Sequence, residues 1–87
     1  MKPDLYVIAR IIKILRENSR MKKINLATAS GLAYDKLTKY LEWMMEKDFV
    51  EIDSEGFVYL TSKGNKAYEE LVKWILEHIG RLEFPRF

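Results

Sequence analysis

Residues 25–47, NLATASGLAYDKLTKYLEWMMEK, decide the fold that the sequence predicts. The stretch divides into a short helix, a tight turn at Ser30, Gly31 and Leu32, and a longer helix. Asn25 is predicted to cap the short helix, because its side-chain oxygen can accept a hydrogen bond from an N–H group of the first turn. Gly31 can adopt the left-handed backbone conformation that ends a helix without a steric cost. Two helices joined in this way are typical of a helix-turn-helix.

The longer helix is predicted to be amphipathic. Leu37, Leu41 and Met44 recur at helical spacing and form its apolar stripe. The opposite face carries Asp35, Lys36, Lys39, Glu42, Trp43 and Glu46. A helix with such a polar, partly basic face can contact nucleic acid, but the same geometry also serves protein–protein contacts. This stretch alone leaves both uses open.

The first helix is predicted from about Pro3 to Asn18, since proline suits the first helical turn. Its apolar residues form two neighbouring stripes, namely Leu5, Ile8, Ile12 and Leu15, and Val7, Ile11 and Ile14. Together the stripes cover roughly half of the helix circumference. Burial on two sides is therefore expected, either by several helices or by a second subunit.

The pattern changes beyond the longer helix. Residues 49–53 (FVEID) alternate between apolar and polar, and residues 57–60 (FVYL) are aromatic or β-branched, as in two strands. The turn between them is short enough for a β-hairpin. Residues 21–24 (MKKI) can form a short strand or extended segment ahead of the short helix. This order of elements predicts an α+β, mainly α, winged helix, in which the hairpin is the wing.

A last helix is predicted from Thr61, its cap, to about Ile79, where Gly80 can end it. Its apolar residues alternate at spacings of three and four, as in a heptad repeat. Residues 1–79 are therefore predicted to form one domain that dimerises through its first and last helices, and residues 80–87 a C-terminal tail. The predicted dimer interface comprises Ile11, Ile14, Tyr68, Leu71, Trp74, Ile75, His78 and Leu82.

The net charge of +2 is distributed unevenly. Residues 10–39 hold eight basic and two acidic side chains, whereas residues 40–60 hold one basic and six acidic. A basic segment that includes the longer helix is typical of a nucleic-acid-binding protein. Lys22 and Lys23 precede the short helix, where the positive end of the helix dipole also favours a phosphate.

The residue types argue against an enzyme or a metal site. The chain has no Cys and one His, so it cannot assemble a thiolate site, a His-based metal site or a nucleophilic triad. It has no Gly-rich phosphate loop, and its carboxylates are scattered. The apolar run 5–15 is too short to cross a membrane. No cofactor or small-molecule substrate is predicted, and a cytoplasmic, nucleoid-associated protein is expected.

Residues 32–50 (LAYDKLTKYLEWMMEKDFV) and 60–67 (LTSKGNKA) resemble the archaeal winged-helix DNA-binding proteins of the chromatin-associated and transcription-regulator types. The resemblance covers about residues 11–79, and the step Leu-Thr-x-Lys-Gly is its most specific part. It implies a homodimer that binds double-stranded DNA, as a transcriptional regulator or a chromatin-type architectural protein, with the longer helix in the major groove.

The resemblance also implies which residues contact DNA. The recognition-helix residues facing the groove would be Tyr34, Asp35, Lys36, Thr38 and Lys39. Those near phosphates would be Lys22, Lys23 and Asn25, to which the charge pattern adds Arg20.

Two features of this sequence depart from the family. The wing tip carries Asp53 and Glu55, whose carboxylates would repel phosphates, and the last helix stops too early for a long coiled coil. The alternative function is a winged-helix protein–protein interaction module without DNA binding, which the acidic wing and exposed aromatic residues favour.

Overall fold

The computed structural model describes residues 2–80. Its elements are α1 (Leu5–Asn18), β1 (Arg20–Lys22), α2 (Lys23–Ser30), α3 (Tyr34–Glu46), β2 (Val50–Ile52), β3 (Phe57–Leu60), α4 (Ser62–Ala67), a π-helical turn (Tyr68–Val72) and α5 (Lys73–His78). This order confirms the predicted α+β winged helix. Residues 81–87 of the predicted tail lie outside the described residues.

The three strands form one antiparallel sheet in the order β1-β3-β2. Met21 of β1 and Ile52 of β2 both pair with Val58 of β3, whose side chain is fully buried. Because successive residues of a strand point to opposite faces, Arg20, Tyr59 and Glu51 form a row on the outer face. The sheet therefore has one face on the core and one face directed to solvent.

Helix α1 lies at the centre of the core, and both of its apolar stripes are covered from within the chain except at Leu5, which is exposed. It contacts α2, α4, the π-helical turn and the strands β1 and β3. Of the two predicted ways to bury α1, burial by several elements of the same chain is sufficient. Ile11 and Ile14 are buried in this core, as is Ile75 of α5, so their predicted place in a dimer interface is corrected.

The first helix of the helix-turn-helix begins earlier than predicted. Helix α2 starts at Lys23 because the pairing of Lys22 with Phe57 ends strand β1 one residue before it. Lys22 is the N-cap residue and supplies no side-chain cap. Asn25 is an exposed residue of the first turn, so its predicted capping role is wrong.

Other helix ends are fixed by residues that are near them in the sequence. Asp4 caps α1, since its Oδ1 accepts hydrogen bonds from the backbone N–H groups of Tyr6 (2.8 Å) and Val7 (3.4 Å). Gly31 ends α2 in the left-handed conformation with φ of 72°. Thr61 caps α4 by accepting a hydrogen bond from the N–H of Gly64 at 3.0 Å. The predictions for Gly31 and Thr61 are confirmed.

The C-terminal helix is continuous through α4, the π-helical turn and α5, and the turn was not predicted. A π-helical turn inserts one residue and shifts the helix face that follows it. Val72 and Ile75 are consequently buried, whereas Trp74 is 52% exposed. The heptad-like spacing assumed an uninterrupted α-helix and could not show this shift.

Candidate nucleic-acid interface

Helix α3 buries one face and presents the other to solvent. Leu37, Leu41 and Met44 are buried against the rest of the domain. The residues predicted to face DNA are therefore brought together on the outside, with Tyr34, Asp35, Lys36 and Lys39 exposed and Thr38 partly exposed. This face combines two ammonium groups, one carboxylate and two hydroxyls.

One of these hydroxyls is already used within the helix. Thr38 Oγ1 donates a hydrogen bond to the backbone carbonyl of Tyr34 at 3.0 Å. Its oxygen can still accept a hydrogen bond, so Thr38 is an acceptor toward any ligand on this face. Tyr34, half exposed at the first turn of α3, can both donate and accept.

Both helices of the helix-turn-helix begin without a side-chain cap. The N-cap residues are Lys22 for α2 and Ala33 for α3, and neither accepts a hydrogen bond from the first turn. The first N–H groups of an α-helix have no partner within the helix, and its N-terminus has a partial positive charge. Each helix start is thus electrostatically compatible with a phosphate.

The start of α2 also holds three residues of different character. Lys23 is half buried, whereas Asn25 is exposed. Ile24 between them is 66% exposed, an apolar surface that the sequence analysis missed. The sequence predicts a short strand or extended segment for residues 21–24, whereas Ile24 lies in the first turn of α2 and is exposed there.

The other cations predicted to contact phosphates are held against the wing. Arg20 lies over the ring of Phe57 at 4.4 Å from the ring centroid, and Lys22 lies over the same ring at 4.7 Å. Arg20 Nη1 is 3.7 Å from Asp53 Oδ2. Lys22 Nζ donates a hydrogen bond to the backbone carbonyl of Glu55. Sequence patterns gave no sign of this contact between β1 and the wing.

The acidic side of the wing is internally ordered. The hydrogen bond from the backbone N–H of Phe57 lowers the pKa of Asp53, with smaller contributions from the N–H of Glu55 and the charges of Arg20 and Lys22. Across the sheet, Tyr59 donates a hydrogen bond to Glu51 Oε2 at 2.7 Å, and this bond raises the pKa of Tyr59. Tyr59 therefore remains a neutral phenol at physiological pH.

The remaining predicted dimer residues lie on the C-terminal helix. Trp74 stacks on His78, with ring centroids 4.5 Å apart and an interplanar angle of 17°. Tyr68 and Leu71 are partly buried against the core, and Arg16 lies over the Tyr68 ring at 4.7 Å. Leu82 lies outside the described residues. The exposed apolar surface here is that of Trp74 and Ile79, with Leu5 and Tyr6 exposed on α1.

An open groove of about 620 Å³ runs between the start of β2 and the C-terminal helix. It is lined by Phe49, Lys63, Lys66, Ala67, Glu70 and Leu71. Within residues 2–80, no group of three or more His, Asp or Glu side chains is arranged to hold a metal ion. None of the helices described is long and apolar enough to cross a membrane.

The fold is similar to those of known proteins. The crystal structure of the MarR family transcriptional regulator SPO1453 from Silicibacter pomeroyi DSS-3 is similar, with a TM-score of 0.76 and 26% identity, over 88% of this chain and 57% of that one. The crystal structure of ligand-free NadR is similar with a TM-score of 0.74 and 28% identity, over 85% of this chain and 56% of that one. This chain thus spans a little over half the length of either protein.

No curated protein matches the chain. The sequence profile of the winged helix-turn-helix family matches residues 4–78, which include every helix and strand described above. The chain belongs to the winged helix-turn-helix family.

Proposed function

We propose that this protein is a double-stranded-DNA-binding transcriptional regulator without catalytic activity, acting on the nucleoid in the cytoplasm. The observation that carries the proposal is the outer face of α3, the second helix of a helix-turn-helix. Its exposed Lys36 and Lys39 lie three residues apart and so share one side of the helix. The similarity to a MarR family transcriptional regulator supports the same role.

In this proposal α3 enters the major groove, where Tyr34, Asp35 and Thr38 can meet base edges. Side chains with donors and acceptors read bases in that groove, where Lys36 and Lys39 can also donate to guanine or bind phosphates through their charge. Lys23, Asn25 and the uncapped start of α2 contact the backbone beside the groove. Arg20 and Lys22, which are held on the wing, are the least available of the predicted phosphate ligands.

We propose further that two copies associate through the C-terminal helix, so that two α3 helices contact successive turns of the duplex. The half-exposed Trp74, its stacked partner His78 and the exposed Ile79 support this arrangement. Leu71 and Tyr68 would contribute at the edge of the contact. A chromatin-type architectural role uses the same surfaces without sequence preference and is the second form of the proposal.

A protein–protein interaction module is the alternative function. The specific observation in its favour is the outer face of the wing, where Glu51, Asp53 and Glu55 gather opposite the basic strand β1. Phosphates would be repelled from that side, but a basic protein surface would not.

The test removes the cations of α3. We expect the double substitution Lys36→Ala and Lys39→Ala to weaken duplex binding at least tenfold, and to reduce the slope of log K against log salt by about 1.8, or 0.9 for each lost phosphate contact. Fluorescence anisotropy on a labelled duplex measures both quantities.

The matched control replaces Lys63 and Lys66, which also lie three apart but on α4. This control removes the same charge and should leave the affinity within about twofold of the unmodified protein. Equal losses for the two pairs would mean that only net charge matters. No loss for the α3 pair would remove this helix from the interface.

A further inference from the structure

The wing is tied to β1 by a side chain that crosses the sheet. Strands β1 and β2 lie on opposite sides of β3, so they are about 9.5 Å apart. Arg20 of β1 extends over the Phe57 ring of β3 and brings its Nη1 to 3.7 Å from Oδ2 of Asp53, the residue after β2. The guanidinium is thus held by a ring face and by a carboxylate.

The carboxylate that meets Arg20 is itself fixed by the backbone of the wing turn. Asp53 Oδ1 accepts hydrogen bonds from the N–H groups of Glu55 (2.9 Å) and Phe57 (3.0 Å). The backbone of Asp53 adds a hydrogen bond with Phe57 and one with Gly56. These bonds occupy Oδ1 and leave Oδ2 for Arg20, so the wing presents a preformed anionic partner.

We propose that the carboxylate of Asp53 binds Arg20 where a DNA phosphate would otherwise bind it, and so limits the number of phosphates that the wing side of the domain neutralises. The inference rests on the proposed DNA-binding function and deepens it. Asp53 acts as a positioning residue, because it would influence binding through Arg20 and not by touching DNA. Without the pair, the guanidinium of Arg20 would lose its carboxylate partner and could contact the backbone of any sequence while still lying over Phe57.

The strength of the ion pair between Arg20 and Asp53 is consistent with this limit on phosphate contacts. Arg20 and Asp53 are partly exposed, and pairs of this kind shift equilibria by only about 1.5- to fivefold. Phosphate contacts add affinity for every sequence alike, whereas base contacts discriminate between sequences. Withholding one phosphate contact therefore lowers nonspecific binding slightly and leaves sequence selection to α3.

Lys22 allows the role of Asp53 to be isolated. Its Nζ is bound to the backbone carbonyl of Glu55 and lies over Phe57, so no substitution of a wing carboxylate removes its partner. Glu55 lies two residues from Asp53 and has the same charge, but the ion pair with Arg20 is made by Asp53. Asp53→Asn and Glu55→Gln thus remove equal charge from the same turn, and only the first releases Arg20.

The experiment measures anisotropy on a random-sequence duplex two helical turns long, over a range of salt. We expect Asp53→Asn to bind roughly two- to fivefold more tightly than the unmodified protein, with a salt slope steeper by about 0.9. Glu55→Gln should change affinity less and leave the slope unchanged. In an Arg20→Gln background, Asp53→Asn should have no larger effect than Glu55→Gln.

Equal effects of the two wing substitutions, or a full Asp53→Asn effect without Arg20, would overturn the role of Asp53 and leave DNA binding standing. If neither the unmodified protein nor any variant binds the duplex at low salt, the proposed function fails together with this inference. The Asp53→Asn side chain keeps an oxygen that can accept both backbone N–H groups, so the turn should persist. If Asp53→Asn lowers the melting temperature, Asp53→Ser, which also has an oxygen acceptor, provides the same comparison.

Discussion

Replacing Gly64 with alanine should destabilise the domain, although alanine is the better helix former. A Cβ placed at Gly64 would lie 2.1 Å from the backbone oxygen of Phe49 and 3.0 Å from Leu60 Cδ2. To restore ordinary van der Waals distance, the Phe49 carbonyl would have to move by more than an ångström. That carbonyl accepts a hydrogen bond from the N–H of Thr61 at 3.0 Å, so the movement would also disturb the start of α4.

The expected magnitude follows from three terms. Overpacking costs about 1–3 kcal/mol, and the disturbed hydrogen bond costs about 1 kcal/mol. The gain in helix propensity offsets about 1 kcal/mol. The net loss in the free energy of unfolding is about 1–3 kcal/mol, and each kcal/mol lowers the melting temperature of a domain of this size by about 4–8 °C.

Urea unfolding followed by circular dichroism measures this loss, and Gly31→Ala is the matched reference. Gly31 has φ of 72° and open space where a Cβ would be, so its substitution costs only about 1 kcal/mol of left-handed strain. We expect Gly64→Ala to be the more damaging of the two. A Gly64→Ala protein as stable as the unmodified one would refute the close approach of α4 to Phe49.

Three further outcomes are expected. Asp4→Ala should lower the free energy of unfolding by about 1 kcal/mol, because two N–H groups at the start of α1 lose their cap. Thermal melting measures this loss, and an unchanged melting midpoint would contradict the capping role of Asp4. Trp74→Lys should shift a dimer to a monomer in sedimentation equilibrium, and an unaltered dimer would exclude Trp74 from the contact. The folded-state pKa of Asp53 lies below its ordinary value, so its contribution to stability is present above the ordinary pKa and is lost as the pH falls through the folded-state pKa. Asp53→Asn should therefore reduce the dependence of the free energy of unfolding on pH in the acid range. Identical acid titrations of the two proteins would contradict the lowered pKa.

Features of the fold with a local physical cause could be predicted from the sequence. The left-handed turn at Gly31, the cap at Thr61 and the buried stripe of Leu37, Leu41 and Met44 follow from neighbouring residues alone. Tyr40 lies beside this stripe in the core, and its hydroxyl accepts a hydrogen bond from the N–H of Asp4 at 2.9 Å.

The predictions that failed concern features that depend on contacts between distant parts of the chain. The start of α2 is set by the pairing of Lys22 with Phe57, which lies in a strand far along the sequence. Ile11 and Ile14 have the spacing of an interface, but other elements of the same chain bury them. The π-helical turn is invisible to a pattern that assumes a constant helical period.

The candidate site divides in the same way. The outward face of α3 could be predicted because amphipathic spacing determines it. The attachment of Arg20 and Lys22 to the wing could not, since it depends on the strand order β1-β3-β2. The sequence showed an acidic wing tip and a basic strand, and the fold brings the two into contact.

The affinity of the unmodified protein for a random-sequence duplex, measured across salt concentrations, tests the central claim most directly. We expect log K to fall linearly with log salt, with a slope that corresponds to several neutralised phosphates. Binding that is absent even at low salt, or binding that does not depend on salt, would contradict the DNA-binding account and favour the protein–protein interaction module.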